Sequence, residues 1–249
     1  MSSDDPILLK IVRKLESRAR LDPGDRAAIM ALPYAHRTYE APAYVLREGE
    51  PPRKQCNFVL SGLAFRQKLA ATGARQIVSI HMAGDFLDVQ HLFLNRADHS
   101  VQALSRLETA EIDRVALQDL VLRHPAIGRA MWVDTLIDAS IFREWILNVG
   151  RRDAKARVAH LLCEVSIRME AAGLTDGTGY ELPLTQEQLG DAVGLTSVHV
   201  NRTLRVLAEQ GLIRRDRRHV RFDDLKSLRA AADFSALYLH LDQELPAEG

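Results

Sequence analysis

Apolar residues change their spacing several times along the chain, and each change marks an element. From Pro6 to Met30 the pattern is helical, with Ile7, Ile11, Val12 and Leu15 on one side. Between Tyr44 and Val115 the texture becomes short apolar runs broken by turn residues. Phe58, Leu60 and the alternation through Gln76-Ile77-Val78-Ser79-Ile80 suit strands. Ser61-Gly62, Thr72-Gly73 and Ala83-Gly84-Asp85 suit tight turns. Short strands at this spacing predict a sandwich or barrel.

After His124 the pattern turns helical again. Pro125 suits a first helical position, and nothing interrupts the run until Gly150, which predicts a helix of about 24 residues. Its apolar residues, among them Ile127, Met131, Trp132, Leu136, Ile141 and Ile146, surround the axis. A helix apolar on all sides is buried on all sides. A β domain covers only part of such a helix, so a second copy of it is the economical partner, and a homodimer is expected; a monomer's core helix is the alternative. Gly150-Arg151-Arg152-Asp153 then reads as a break, with Asp153 as N-cap of a helix from Ala154 to Ala171. The polar, Gly-rich loop GLTDGTGYELP follows, and a domain boundary is expected near 149–153.

The stretch beyond that loop carries the chemistry. Thr185 and Gln188 have capping-box spacing, Leu189 and Val193 form the inward face of a short helix, and Gly194 ends it. Thr196 suits the cap of the next helix. At about 100° per residue, Val200, Leu204 and Leu207 share one stripe. Val198, Arg202, Arg205 and Glu209 lie opposite, with Asn201 beside them. Two short helices joined by a tight glycine turn, the second presenting Arg and Asn, match a helix-turn-helix, whose second helix enters the DNA major groove. GLIRRDRRHVRF reads as strand, turn and strand, a small wing.

Charge sharpens this picture only locally. Lys plus Arg and Asp plus Glu both number 33, so net charge says nothing about a polyanionic partner. Between Thr185 and Phe222, however, seven arginines face four acids, the footprint of phosphate attraction. Cys56 and Cys163 are the two cysteines, without partners at metal spacing, so neither a disulfide framework nor a four-cysteine cluster is expected. The start, MSSDDPILLK, lacks a secretory pattern, and no apolar run is long enough for a membrane span, so a cytoplasmic location without membrane contact is expected.

TQEQLGDAVGLTSVHVNRTLRVLAEQGLI resembles the helix-turn-helix of the Crp/Fnr family of bacterial transcription regulators. The resemblance extends back through RRDAKARVAHLLCEV, the long helix and the REGE, SGL and GDF landmarks of the β segment, over roughly 30–225. It implies an α+β chain. Residues 1–124 would form a cyclic-nucleotide-binding-like β-roll with an N-terminal helix, 125–150 a dimerisation helix, 151–228 a winged helix-turn-helix and 229–249 a tail. Gly150 and Asp153 fall at the family's hinge. Double-stranded DNA, a second copy and RNA polymerase are the implied partners, on a pseudo-palindromic operator.

Arg202 matches the family's recognition arginine, which implies bidentate reading of guanine N7 and O6. Ser197, Val198, His199 and Asn201 complete the base-reading set, and Thr185, Thr196, Arg205, Arg217 and Arg218 are assigned to phosphate contact or support. Val198 stands where many members carry a glutamate able to accept from cytosine N4. Valine cannot, so a different half-site is expected, with a thymine methyl beneath it. In the β segment, cyclic-nucleotide-binding members carry a glutamate after the Gly-Asp turn and an Arg-Ser pair. Here Asp88 and Gln90 lie near the first place, and His99-Ser100 replaces the second. Neutral histidine substitutes poorly for a guanidinium fork, so cyclic AMP is not the expected effector. No cofactor is predicted. An unknown small molecule, a protonation response or haem ligation through His81, His91 or His99, a cyclic nucleotide held by a non-standard phosphate site, and no ligand at all remain as alternatives. A hydrolase using Asp88 and His99 is disfavoured because no nucleophile elbow, metal-ligand set or phosphate loop accompanies them. A helix-turn-helix serving protein partners is a third reading.

Overall fold

The structure, a computed structural model, describes residues 5–176, 178–216 and 218–241. They divide into two compact units. The described part of the first comprises 5–66 and 81–139, and that of the second 67–80 and 140–241.

The first unit is a two-sheet β-roll with helices on one face. β1 (Tyr34–Tyr39), β7 (Leu107–Asp113) and β3 (Gln55–Ser61) form one antiparallel sheet in the order β1-β7-β3. β2 (Tyr44–Leu46), β6 (Ser100–Ala103), β4 (Ala64–Leu69) and β5 (Arg75–His81) form the other, in the order β2-β6-β4-β5, residues 67–69 of β4 and 75–80 of β5 belonging to the second unit. Strand β3 shows how the period of two builds both cores. Cys56, Phe58 and Leu60 join a cluster with Leu8, Ile11, Leu15 and Ile29 on the helical side. Val59 points the other way, into a cluster with Leu46, Ala64, Val101 and Leu107 drawn from both sheets. At the Ser61-Gly62 turn, Gly62 has φ +82°, and an added Cβ would sit 2.1 Å from the Arg106 carbonyl oxygen, so no other residue fits there.

In the first unit three elements differ from the sequence reading. Residues 6–30 form two helices, α1 (Pro6–Glu16) and α2 (Pro23–Met30), because Asp22 and Asp25 make a capping box with Pro23 at the first position, a restart signal inside an apolar pattern. The strands begin earlier than Tyr44, at β1, whose YAHRTY is mostly exposed and carries no apolar alternation. Helix α3 (Arg114–Arg123) follows β7 directly, capped by Asp113, whose carboxylate accepts from the Ala116 N–H at 2.8 Å.

Helix α4 (Pro125–Arg151) has 27 residues and runs through Gly150. Its apolar residues are not all buried within one chain. Ile127, Ile137, Ile141 and Trp145 are buried, whereas Trp132 (69% exposed), Leu136, Ile146 (73%) and Leu147 stay open.

In the second unit α5 (Ala154–Ala171) lies buried along much of its length, its N-terminus capped by Asp153, which accepts from the Ala156 N–H at 2.8 Å. Helices α6 (Gln186–Val193) and α7 (Ser197–Glu209) pack on it. A small antiparallel sheet follows in the order β8-β10-β9, from β8 (Gly179–Glu181), β9 (Arg214–Asp216) and β10 (His219–Arg221). Strand β8 lies in what the sequence presents as a loop; its pairing partner is some 40 positions away, at Val220↔Tyr180. The described part of 229–249 holds the end of α8 (Leu225–Ala231) and a 3-10 turn, Ala236–Leu239, in which Tyr238 and Leu239 are buried.

Candidate nucleic-acid interface

Local signals build the helix pair. Thr185 Oγ1 accepts from the Gln188 N–H at 3.1 Å, and Gln188 Oε1 accepts in return from the Thr185 N–H at 2.9 Å, so two otherwise unpaired amides at the start of α6 are satisfied. Gly194 ends that helix in the left-handed region at φ +66°. The turn is tight enough that a Cβ on Gly190 would meet the Leu195 carbonyl oxygen at 2.3 Å. Thr196 Oγ1 then accepts from the His199 N–H at 3.3 Å and caps α7.

The amphipathic split of α7 follows its 3.6-residue period. Val200, Leu204 and Leu207 are buried. Ser197, Val198, Asn201, Arg202 and Arg205 are exposed, Val198 at 79%. An apolar side chain left that open at the start of a helix gains nothing from the fold. Arg202 Nη2 donates to His199 Nε2 at 3.2 Å, which holds the guanidinium against the helix surface of an otherwise exposed side chain. A shallow groove beside this pair is lined by Asp153, Lys155, His199, Arg202, Thr203 and Val206. Lys155, one residue into α5, was not among the residues singled out from the sequence, because its neighbourhood to Arg202 depends on tertiary packing. On the wing, Arg218 is exposed in the turn, while Arg214 is ion-paired with Asp223. Arg217 lies outside the described residues.

The residues expected to line an effector pocket separate into two groups. Asp88 is 1% exposed, and both its oxygens are occupied: the Asn57 backbone N–H donates at 2.7 Å and the Asn57 side-chain amide at 2.9 Å. Asn57 Oδ1 accepts in turn from Thr109 at 3.1 Å, so Asp88 ties a loop to strands β3 and β7. Burial pushes its carboxyl up to about 6. Gln90 and His99 meet elsewhere, Gln90 Nε2 lying 3.3 Å from His99 Nε2, with Asp98 Oδ1 2.6 Å from His99 Nδ1. Burial first, and the charge of Arg66 second, lower the pKa of His99. Ser100 Oγ accepts from the Glu48 N–H at 3.0 Å. Of the other two histidines considered, His81 is buried with Nδ1 3.8 Å from Asp85. His91 is buried, and neither ring nitrogen has a hydrogen-bond partner among the described residues. Arg53, Arg66 and Arg114 carry positive charge into this region, and Arg66 donates through Nη1 to Asp138 of α4 at 2.8 Å.

Two family models match the chain in sequence order, a cyclic nucleotide-binding domain over 36–124 and a Crp-like helix-turn-helix domain over 156–231. The transcriptional activator protein FnrL of Cereibacter sphaeroides is 29% identical over 217 residues, covering 84% of this chain and 85% of that protein. The nitrogen fixation regulation protein FixK of Azorhizobium caulinodans is 28% identical over 155 residues, 62% of each chain. The solved structure of FixK2 from Bradyrhizobium japonicum superposes with a TM-score of 0.74 at 24% identity, over 82% of this chain and all of that one. Fold and helix pair thus define a transcription regulator with a β-roll and a helix-turn-helix DNA-binding domain. The chain belongs to the Crp/Fnr family, whose members are dimers that act with RNA polymerase; its relatives are transcriptional regulators, not enzymes. No helix among the described residues is long and apolar enough to cross a membrane.

Proposed function

We propose that two copies of this chain pair along the open side of α4 and present their α7 helices to successive major grooves, about 34 Å apart, on a pseudo-palindromic operator. The observation that carries this is the division of α7 into a buried Val200, Leu204, Leu207 stripe and an open face bearing Asn201, Arg202 and Arg205. Arg202 reads guanine through its N–H groups, with His199 steadying it. Ser197 and Asn201 reach neighbouring base edges, and Val198 packs on a thymine methyl. Thr185, Thr196, Arg205, Arg217 and Arg218 meet phosphates, where position rather than sequence is fixed. The chain works in the cytoplasm with RNA polymerase and catalyses no reaction.

Pairing is supported by Trp132, Leu136, Ile146 and Leu147, four large apolar side chains left open on one helix. Replacing Leu136 and Ile146 together by Asp is expected to halve the sedimenting mass and to abolish binding to the operator, while far-ultraviolet circular dichroism stays unchanged. A wild-type chain that sediments as a monomer at micromolar concentration overturns the dimer. The β-roll takes its signal from something other than cyclic AMP, because His99 is engaged by Asp98 and Gln90 and Asp88 by Asn57. Calorimetric titration with cyclic AMP is expected to show no heat of binding.

A further inference from the structure

The family matches account for 36–124 and 156–231, and end before the last described segment. That segment is not loose. After α8 the chain turns at Asp233, which has φ +48°, and Phe234 and Tyr238 enclose the buried imidazole of His160 on α5. The ring centroids lie 4.9 Å (Phe234) and 5.8 Å (Tyr238) from that of His160.

One turn further along α5, the fully buried carboxylate of Glu164 collects donors from three directions. Tyr238 Oη donates at 2.8 Å, Trp145 Nε1 of α4 at 2.9 Å, and Arg168 of α5 approaches at 3.4 Å. Arg152, in the short link between α4 and α5, donates through Nη2 both to Glu144 at 2.7 Å and to the Asp233 carbonyl oxygen at 3.0 Å. The end of α4, the second half of α5 and the C-terminal segment therefore meet around Glu164, Arg152 ties the α4–α5 link to Asp233, and a missing member leaves a buried charge short of a partner. Other polar and charged groups packed near it are Lys155, which donates to Gln210, and Arg157, which donates to the Arg152 carbonyl oxygen.

We propose that residues 233–239 are a positioning clamp: they fix the α4–α5 junction at Gly150–Asp153, and so set the pose in which α7 is offered relative to the end of α4. Phe234 and Tyr238 act through His160 and Glu164; neither touches the reading face. The junction can bend only to the extent that this segment lets go, which makes the C-terminus a control point on the junction. The consequence for operator binding rests on the DNA-reading role of α7, but the clamp itself does not.

The test is hydrogen exchange by mass spectrometry on three full-length variants, Tyr238→Phe, Phe234→Leu and Arg152→Lys, together with a chain truncated after Ala232. The truncated chain is expected to exchange about tenfold or more faster at Ala156 and Arg157, whose amides bond to Asp153. Residues 200–207 of α7 and the β-roll should keep their rates. Tyr238→Phe, which removes one hydroxyl and no ring, is expected to give a smaller increase in the same peptides. If the truncated chain does not fold, the three full-length variants decide. Unchanged exchange at 150–157 in all of them overturns the clamp, as does an increase spread evenly over the whole second unit. Operator affinity measured on the same samples separates the two readings. Faster junction exchange in a chain that binds no operator at all retains the clamp and removes the DNA-reading role.

Discussion

The exposed face of α7 and the interior of the β-roll hold similar side chains in opposite circumstances. On α7, Asn201, Arg202 and Arg205 stand in solvent, Arg202 hydrogen-bonded to His199, and a valine beside them is left open. In the β-roll, Asp88, His99 and Ser100 are spent on the protein itself, as a tie to Asn57, a hydrogen-bond partner of Asp98 and an acceptor for Glu48. Polar groups that the fold has left unsatisfied at a surface are available to a ligand; those it has satisfied inside are structure. The difference teaches that residue type at a family position is a weaker guide to function than whether the fold has already used the group.

Four perturbations break or sharpen this contrast, from large effect to small. Asn57→Ala removes the side-chain amide that donates to the buried Asp88 carboxylate and accepts from Thr109, leaves the backbone N–H donor in place, and is expected to cost about 3–4 kcal/mol in denaturant unfolding, with base preference unchanged in the folded fraction. The pH dependence of Asp88 comes next. Its folded carboxyl is raised to about 6, so the folded state holds the proton more tightly than the unfolded chain. The associated stability is complete below about pH 4 and is lost as pH rises through about 6. Wild type measured against Asp88→Asn should therefore lose up to about 3 kcal/mol of relative stability over that window. A flat difference would mean that the carboxylate is better solvated than its burial implies. Arg202→Ala should leave the unfolding curve in place and lose about 1–3 kcal/mol of specific binding, with little loss on random duplex. An equal loss on both would make Arg202 a phosphate contact. Val198→Glu, which restores an acceptor, is expected to shift preference at one position toward cytosine by about 1 kcal/mol in competition binding, with no change in the salt slope.

What could be read from the sequence was what local chemistry decides. Thr185 with Gln188, Gly194 and Thr196 announce their helix boundaries within a few residues, and Val200, Leu204 and Leu207 announce the buried side of α7. Asp153 as a cap and Ala154–Ala171 as a helix follow from the same logic. Elements stabilised from afar were not legible. β1 is a polar strand held by its pairing with β7, and β8 is three residues held by β10. The segment ending in YLHL reads as a tail because His160 and Glu164, the residues it packs on, lie some 75 positions upstream. On α4 the apolar residues on all sides were visible, but which of them the chain itself covers needed three dimensions. Asp88 carries the same lesson at the candidate pocket, since its position near the Gly-Asp turn is in the sequence and its partner Asn57 is 31 residues earlier.

The central claim is that a pair of these chains reads an inverted repeat through Arg202. Selection of bound sequences from random duplex DNA, run in parallel on wild type and Arg202→Ala, tests it most directly. The account predicts an inverted repeat whose half-sites lie about one helical turn apart, with a guanine in each half-site that is enriched by the wild type and lost with Arg202→Ala. Enrichment of no inverted repeat, or of the same guanine by both proteins, would contradict it.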